Sequence, residues 1–180
     1  MKKFIILLAF NMQIFAISGA DIQGWFNGGE FKKVCSSQTE NLLKDSSNEE
    51  LISLYGMACL RIHEINRLAL PISKLVRSKN ARENAAYFAD ILLKKKLLYY
   101  ALVDDVDISY ARLPRSDYIL SFIFDKFVKK EYIQDIDIYI FKEPNSDTHY
   151  ELSVSQEKDI PKLVLKIFKN DELKSQIEYW

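Results

Sequence analysis

Apolar residues along this chain recur with two different periods. From Gly28 to Val128 they follow the 3.6-residue spacing of a helix, and from Asp135 onward they alternate at every second position. Phe31, Val34, Cys35 and Leu42 form a stripe that predicts a first helix from Gly28 to about Leu43. Ser47-Asn48-Glu49-Glu50 matches the S-x-x-E box that opens a helix. Leu51, Leu54, Tyr55, Ala58 and Ile62 then mark one face of a second helix, antiparallel to the first. Ile65, Leu68, Ala69, Ile72, Leu75 and Val76 give a third pattern, in which Pro71 either kinks the helix or starts a new one. Ser78 or Asn80 caps a fourth, with Ala81, Ala85, Phe88, Ala89, Leu92 and Leu93 on its stripe and its end at Leu97 or Tyr100. After Leu113-Pro114-Arg115, capped by Ser116 or Asp117, comes a fifth. Its residues Ile119, Leu120, Phe122, Ile123, Phe124, Phe127 and Val128 are apolar nearly all round, so it is expected to be buried on several sides.

Beyond it, Ile136, Ile138 and Ile140 alternate with Asp135, Asp137 and Tyr139, and Glu143-Pro144-Asn145-Ser146-Asp147 reads as a turn. Tyr150, Leu152 and Val154 mark a second strand, and Leu163, Leu165 and Ile167 a third. Asn170-Asp171 turns the chain into a fourth, Leu173 to Trp180. The expected fold class is α+β: antiparallel helical hairpins over 21–130, then a small C-terminal antiparallel β meander over 131–180 packed on them with one apolar face. The last strand lies at an edge, where it either accepts a strand from a partner or folds back onto the core.

Residues 1–20 have a different character. Lys2 and Lys3 precede the apolar run Phe4 to Phe10, and Ser18-Gly19-Ala20 offers small residues at a cleavage site. This is the layout of a secretory signal peptide, with cleavage expected after Ala20. An uncleaved anchor is the rival reading, but a spanning helix needs about 20 apolar residues. This run is shorter and is broken by Asn11 and Gln13. The chain is therefore expected in the periplasm, with no integral membrane segment after cleavage.

Charge narrows the class of partner. The chain has 25 Lys and Arg against 25 Asp and Glu, and residues 1–20 hold two of the lysines and no acid. The balance gives no electrostatic reason to expect nucleic acid. The densest basic run, Lys94-Lys95-Lys96, is read as a solvated helix face or helix end. The two cysteines, Cys35 and Cys59, lie at nearly equal heights on the first two antiparallel helices, which predicts a disulfide in an exported chain. Bridged Cα atoms must come within about 7 Å, closer than helices normally sit, and Gly56 and Ala58 are small enough to allow that approach. Closing that loop would stabilise the fold by about 3 kcal/mol. A redox or metal-binding pair is the competing reading, but there is no C-x-x-C, and His63 and His149 do not complete a ligand set.

Gly28 followed by Phe31, the run Tyr55-Gly56-Met57-Ala58 and the position of Pro71 together resemble the tetratricopeptide or Sel1-like helical hairpin. The resemblance covers about 80 residues. It implies a concave protein- or peptide-binding surface without catalysis, and in cysteine-rich secreted members a disulfide joins the two helices of a repeat. An unrelated helical bundle obeys the same hairpin rule.

Catalytic signatures are scarce. G-x-S-x-G, H-E-x-x-H, G-x-x-x-x-G-K and G-x-G-x-x-G are all absent. His63 and His149 are read as surface residues. Asp105, Asp107 and Ser109 alternate like the start of a calcium loop, but Tyr110 and Ser116 stand where that loop needs Gly and Glu, so no cofactor or metal is expected. The aromatic residues say more. Trp25 and the Tyr99-Tyr100 pair are expected either to fill the core or to border a partner groove, with Arg61, Arg67 and Arg82 as polar contacts. The leading expectation is a non-enzymatic interaction or assembly module of the bacterial envelope, binding a protein or peptide. The alternatives are a small cell-wall hydrolase using a carboxylate pair, or a structural envelope component.

Overall fold

The computed structural model describes residues 17–156 and 160–180, so the predicted signal segment lies almost wholly outside the described residues. The architecture is α+β. Among the described residues seven α-helices precede a five-stranded sheet. They are α1 (Gly19–Asn27), α2 (Phe31–Val34), α3 (Ser37–Lys44), α4 (Glu49–Arg61), α5 (Ala69–Lys74), α6 (Lys79–Asp104) and α7 (Ile119–Val128). A 3₁₀ turn at Ile65–Leu68 leads into α5. The strands are β1 (Ile133–Asp135), β2 (Ile138–Lys142), β3 (Thr148–Ser155), β4 (Lys162–Lys169) and β5 (Glu172–Tyr179), all antiparallel in the order β1-β2-β3-β4-β5.

The helical layer departs from the predicted hairpin at its first helix, which is split in two. Ser36 accepts a hydrogen bond from the Thr39 N–H and caps α3, so the chain breaks at Cys35 and the apolar phase resets. Leu43 is therefore buried and Leu42, expected inside, is 42% exposed. Cys35 and Cys59 form a disulfide with their Cα atoms 5.0 Å apart. Cys35 sits in the break between two short helices, and this lets the backbones come closer than two regular rods would. Gly56 serves a different contact. A Cβ there would lie 2.5 Å from Cε2 of the Phe88 ring, so this glycine seats α6 against α4.

The caps also differ in detail. Asn48, not Ser47, caps α4, accepting from the Glu50 and Leu51 N–H groups. Glu49 reaches instead to the backbone N–H groups of Val76, Arg77 and Ser78, joining the start of α4 to the start of α6. These bonds, that from Arg77 foremost, hold its carboxyl down at about 2. Pro71 lies in the first turn of α5, which begins as a new helix after the 3₁₀ turn. Tyr118, with no side-chain cap, precedes α7 in place of Ser116 or Asp117 as cap.

The largest correction concerns α6. Lys94 and Lys95, expected in solvent, are 1% and 0% exposed, whereas Leu93 is 45% exposed. The buried stripe runs Phe88, Ile91, Lys95, Leu98, the i, i+3, i+7, i+10 spacing of one helical face. Lys94 donates to Asp90, the Pro114 carbonyl and Ser121 Oγ. Lys95 donates to Asn66 Oδ1 and the Trp180 carbonyl oxygen. Both lysines thus tie α6 to segments distant in sequence.

In the sheet, Tyr139, Leu152, Leu165 and Ile177 form one cross-strand row, and Phe141, Tyr150 and Ile167 another. The α7 rings lie on this face: Phe122 against Tyr150 at 5.3 Å between centroids, and Phe127 against Tyr139 at 5.4 Å. Ile136, expected in a strand, is a turn residue between β1 and β2, with φ 52° and 84% exposure. Asn170 and Asp171 form the expected tight turn, both with positive φ. β5 is an edge strand whose end is anchored: Tyr179 is 2% exposed, and Asn66 Nδ2 donates to the Trp180 carbonyl at 2.8 Å alongside Lys95.

Candidate functional site

The end of α4 governs a cleft. Its last turn closes in a Schellman arrangement, with the His63 N–H donating to the Leu60 carbonyl (3.1 Å) and the Glu64 N–H to the Cys59 carbonyl (2.9 Å). That geometry requires a left-handed residue at His63, whose φ is 63°. Glycine takes this conformation without strain, and histidine is among the few other types found there. The turn swings the imidazole against α7, where Nδ1 lies 2.8 Å from the Tyr118 hydroxyl. Tyr118 OH in turn lies 3.4 Å from Tyr179 OH on β5. His63 is therefore half-buried, not a surface residue as its polar neighbours Arg61 and Glu64 suggested. Burial pulls its imidazole below the ordinary histidine range. Burial also pushes the Tyr118 hydroxyl up to about 12.

Around His63 three elements enclose a cleft of about 570 Å³. α4 and the turn after it supply Met57, Leu60, Arg61 and His63. α6 supplies Glu83, Asn84 and Tyr87, spaced i, i+1, i+4 on one face, and the start of α7 supplies Asp117, Tyr118 and Ile119. Met57, Leu60 and Ile119 are the apolar part of this lining, and the rest are polar. The Tyr87 hydroxyl donates to Asp117 Oδ1 at 2.6 Å, locking α6 to the start of α7. Burial, with Asp117 adding to it, raises the Tyr87 hydroxyl well above its ordinary range. Neither Arg61 nor Glu83 forms an ion pair with another described residue. The volume lies within the range of small-ligand sites, about 300–1,000 Å³.

Of the six residues expected to meet a partner, Arg61 lines this cleft. Arg67 bonds to Glu40 and Ser37, and Tyr55 donates to the same Glu40 oxygen, so Arg67 fastens α3 beside the disulfide. Arg82 donates to the Val76 and Arg77 carbonyls, closing the loop before α6. Trp25, half-buried on α1, has the Lys33 ammonium 5.8 Å above its ring. Tyr99 donates to the Pro161 carbonyl at 2.8 Å, joining α6 to the start of β4, while its neighbour Tyr100 is 48% exposed. Sequence reasoning missed His63, Glu83, Asn84, Tyr87, Asp117 and Tyr118 as one set. The signals available were the i, i+4 pairing of Glu83 with Tyr87 and a histidine following the last apolar residue of a helix.

A second, open depression at the β2–β3 and β4–β5 turns is lined by Glu143, Asp147, His149 and Asp171, among others. There the His149 ring stacks on Phe168 at 4.7 Å, and its Nδ1 lies 3.9 Å from Asp171. Among the described residues no group of three or more His, Cys, Asp or Glu is placed to hold a metal ion, and no helix is long and apolar enough to cross a membrane. No protein-family model, curated protein or solved structure matches the chain.

Proposed function

We propose that this chain is a non-enzymatic interaction module of the bacterial cell envelope, which binds a protein or peptide partner in the α4–α6–α7 cleft. The observation that carries this reading is the make-up of the cleft. Apolar Met57, Leu60 and Ile119 line it together with polar groups contributed by three separate elements. Two of these groups are held in place by hydrogen bonds within the lining, His63 by Tyr118 and Asp117 by Tyr87. An apolar base with a few fixed polar groups is the make-up of a recognition site. Export to the periplasm through residues 1–20 accords with the Cys35–Cys59 bond, since disulfides persist in oxidising compartments. The tetratricopeptide-like resemblance of the helical region points to the same class of function.

A second reading is favoured by one feature, the presence of Glu83 and Asp117 in the same cleft. A carboxylate pair is the minimum equipment of a glycan hydrolase. The two readings separate by experiment. Affinity capture from envelope extracts is run with the wild-type chain and with Arg61→Glu as baits, and purified cell-wall glycan is assayed for turnover. The binding reading expects a partner retained by the wild type and lost from Arg61→Glu, with no turnover. Glycan hydrolysis abolished by Glu83→Gln or Asp117→Asn, with no partner dependent on Arg61, would overturn it.

A further inference from the structure

A hydrogen-bond chain runs from the cleft lining into the core, from His63 through Tyr118 to Tyr179. Tyr179 is 2% exposed, and its hydroxyl has Tyr118 OH as its hydrogen-bond partner, at 3.4 Å. Tyr118 OH is the only hydrogen-bond partner of this buried hydroxyl among the described residues, so the arrangement that satisfies both phenols has Tyr179 donating to Tyr118. The Tyr118 hydroxyl has one hydrogen of its own, and it points to the other neighbour, His63 Nδ1, at 2.8 Å. Nδ1 is then the acceptor nitrogen of a neutral imidazole, and the hydrogen resides on Nε2. His63, which lines the cleft together with Arg61, thereby carries an N–H donor on Nε2.

The opposite charge is also present. Glu83 has no ion-pair partner among the described residues, and Asp117 has only Oδ1 engaged by Tyr87. Arg61, Glu83 and Asp117 are all exposed, so their charges are available to an incoming group. The same cleft is lined by the apolar side chains of Met57, Leu60 and Ile119. Burial of the apolar part of a ligand supplies affinity, and charges of both signs set its orientation.

We propose that the cleft takes a zwitterionic ligand: a short peptide or amino-acid derivative whose carboxylate meets Arg61 and His63 Nε2–H, whose ammonium meets Glu83 and Asp117, and whose apolar side chain rests on Met57, Leu60 and Ile119. The inference rests on the reading of the cleft as a binding site and specifies its ligand chemistry. A purely anionic ligand would face two carboxylates, and a purely cationic one would face Arg61, so a molecule carrying both charges is the complementary one.

The test uses the tripeptide Ala-Leu-Ala in four forms: free at both ends, N-acetylated, C-amidated, and blocked at both ends. Each is titrated into the ¹⁵N-labelled protein, following amide shifts of Met57, Leu60, Asn84 and Ile119, with His63 ring nitrogens recorded in the same samples. The free tripeptide is expected to give saturable shifts confined to the cleft, and blocking either end to weaken binding about tenfold or more. Arg61→Gln removes the penalty for C-amidation, and Glu83→Gln removes the penalty for N-acetylation. Both residues are on the surface, so neither change disturbs the core. The ring nitrogens should report the Nε2–H tautomer. Equal binding of all four forms, or no saturable shift with any of them, overturns the zwitterion proposal. In that case, an envelope partner whose capture still depends on Arg61 would leave the binding reading standing, and loss of that dependence would remove both.

Discussion

Replacing Lys95 by methionine should remove a pH dependence of stability that no other residue on α6 supplies in the same form. Lys95 is fully buried and its ammonium donates to two oxygens, Asn66 Oδ1 and the backbone oxygen of Trp180. Burial first, and the neighbouring Lys96 charge second, lower its pKa from 10.5 to about 8. A difference of about 2.5 corresponds to about 3 kcal/mol between the two protonation states. The sign follows from proton counting. Between pH 8 and 10.5 the unfolded chain holds this proton and the folded chain has released it, so stability rises with pH across that window. Below pH 8 both states are protonated and the full penalty of burying the charge is felt. Integrated from pH 7 to 9.5, the gain is about 2 kcal/mol. Lys95→Met lacks it, and at pH 7 sets the removed charge penalty against two lost hydrogen bonds of about 1 kcal/mol each. Urea unfolding of both proteins at several pH values between 7 and 9.5, followed by tryptophan fluorescence, measures the difference. Tyrosine titration affects both proteins alike and cancels. The wild type should gain about 2 kcal/mol more than the variant across the range. Parallel curves would refute the reasoning, because they would mean that Lys95 keeps an ordinary pKa in the fold.

Other substitutions probe separate joints. Gly56→Ala would place a methyl group 2.5 Å from the fully buried Phe88 ring. It should lower stability by about 1–3 kcal/mol despite the higher helix propensity of alanine, and Phe88→Leu in the same chain should recover part of that in chemical denaturation. Cys35→Ser/Cys59→Ser should lose about 3 kcal/mol, which for a chain of this size is about 6–12 °C in Tm by calorimetry. Glu49→Gln should flatten the acid limb of the stability curve. The wild-type carboxylate stabilises fully above about 4.5 and loses that contribution as pH falls toward about 2, which circular dichroism across that range would follow. Ile136→Gly should raise stability by about 1 kcal/mol in urea melts, since the isoleucine is held at φ 52° and 84% exposed, so its side chain returns little burial.

Local chemistry made much of this fold legible in the chain. The change of apolar period near Asp135 marks the passage from helices to sheet, and Asn170-Asp171 marks the last turn, because each signal is made by residues within a few positions of one another. The disulfide was legible for a similar reason: one hairpin brings Cys35 and Cys59 together. What escaped depends on tertiary neighbours. Ile136 and Asp137 have the composition of a strand, and only pairing of Asp135 with Ile138 makes them a turn. Lys95 occupies a position on a buried stripe whose acceptors, Asn66 and Trp180, are 29 and 85 residues away. The cleft draws on three elements separated along the chain, and the left-handed turn that brings His63 into it uses a residue with no glycine to announce it.

The central claim is that the α4–α6–α7 cleft is the binding surface, and in-cell photo-crosslinking from that cleft tests it most directly. A photoreactive residue placed at Met57 should trap a discrete partner, and Arg61→Glu in the same chain should abolish the product. The same residue placed at Tyr110, 71% exposed and outside the cleft lining, should trap none. Products of equal yield from both positions, or a Met57 product indifferent to Arg61, would contradict it.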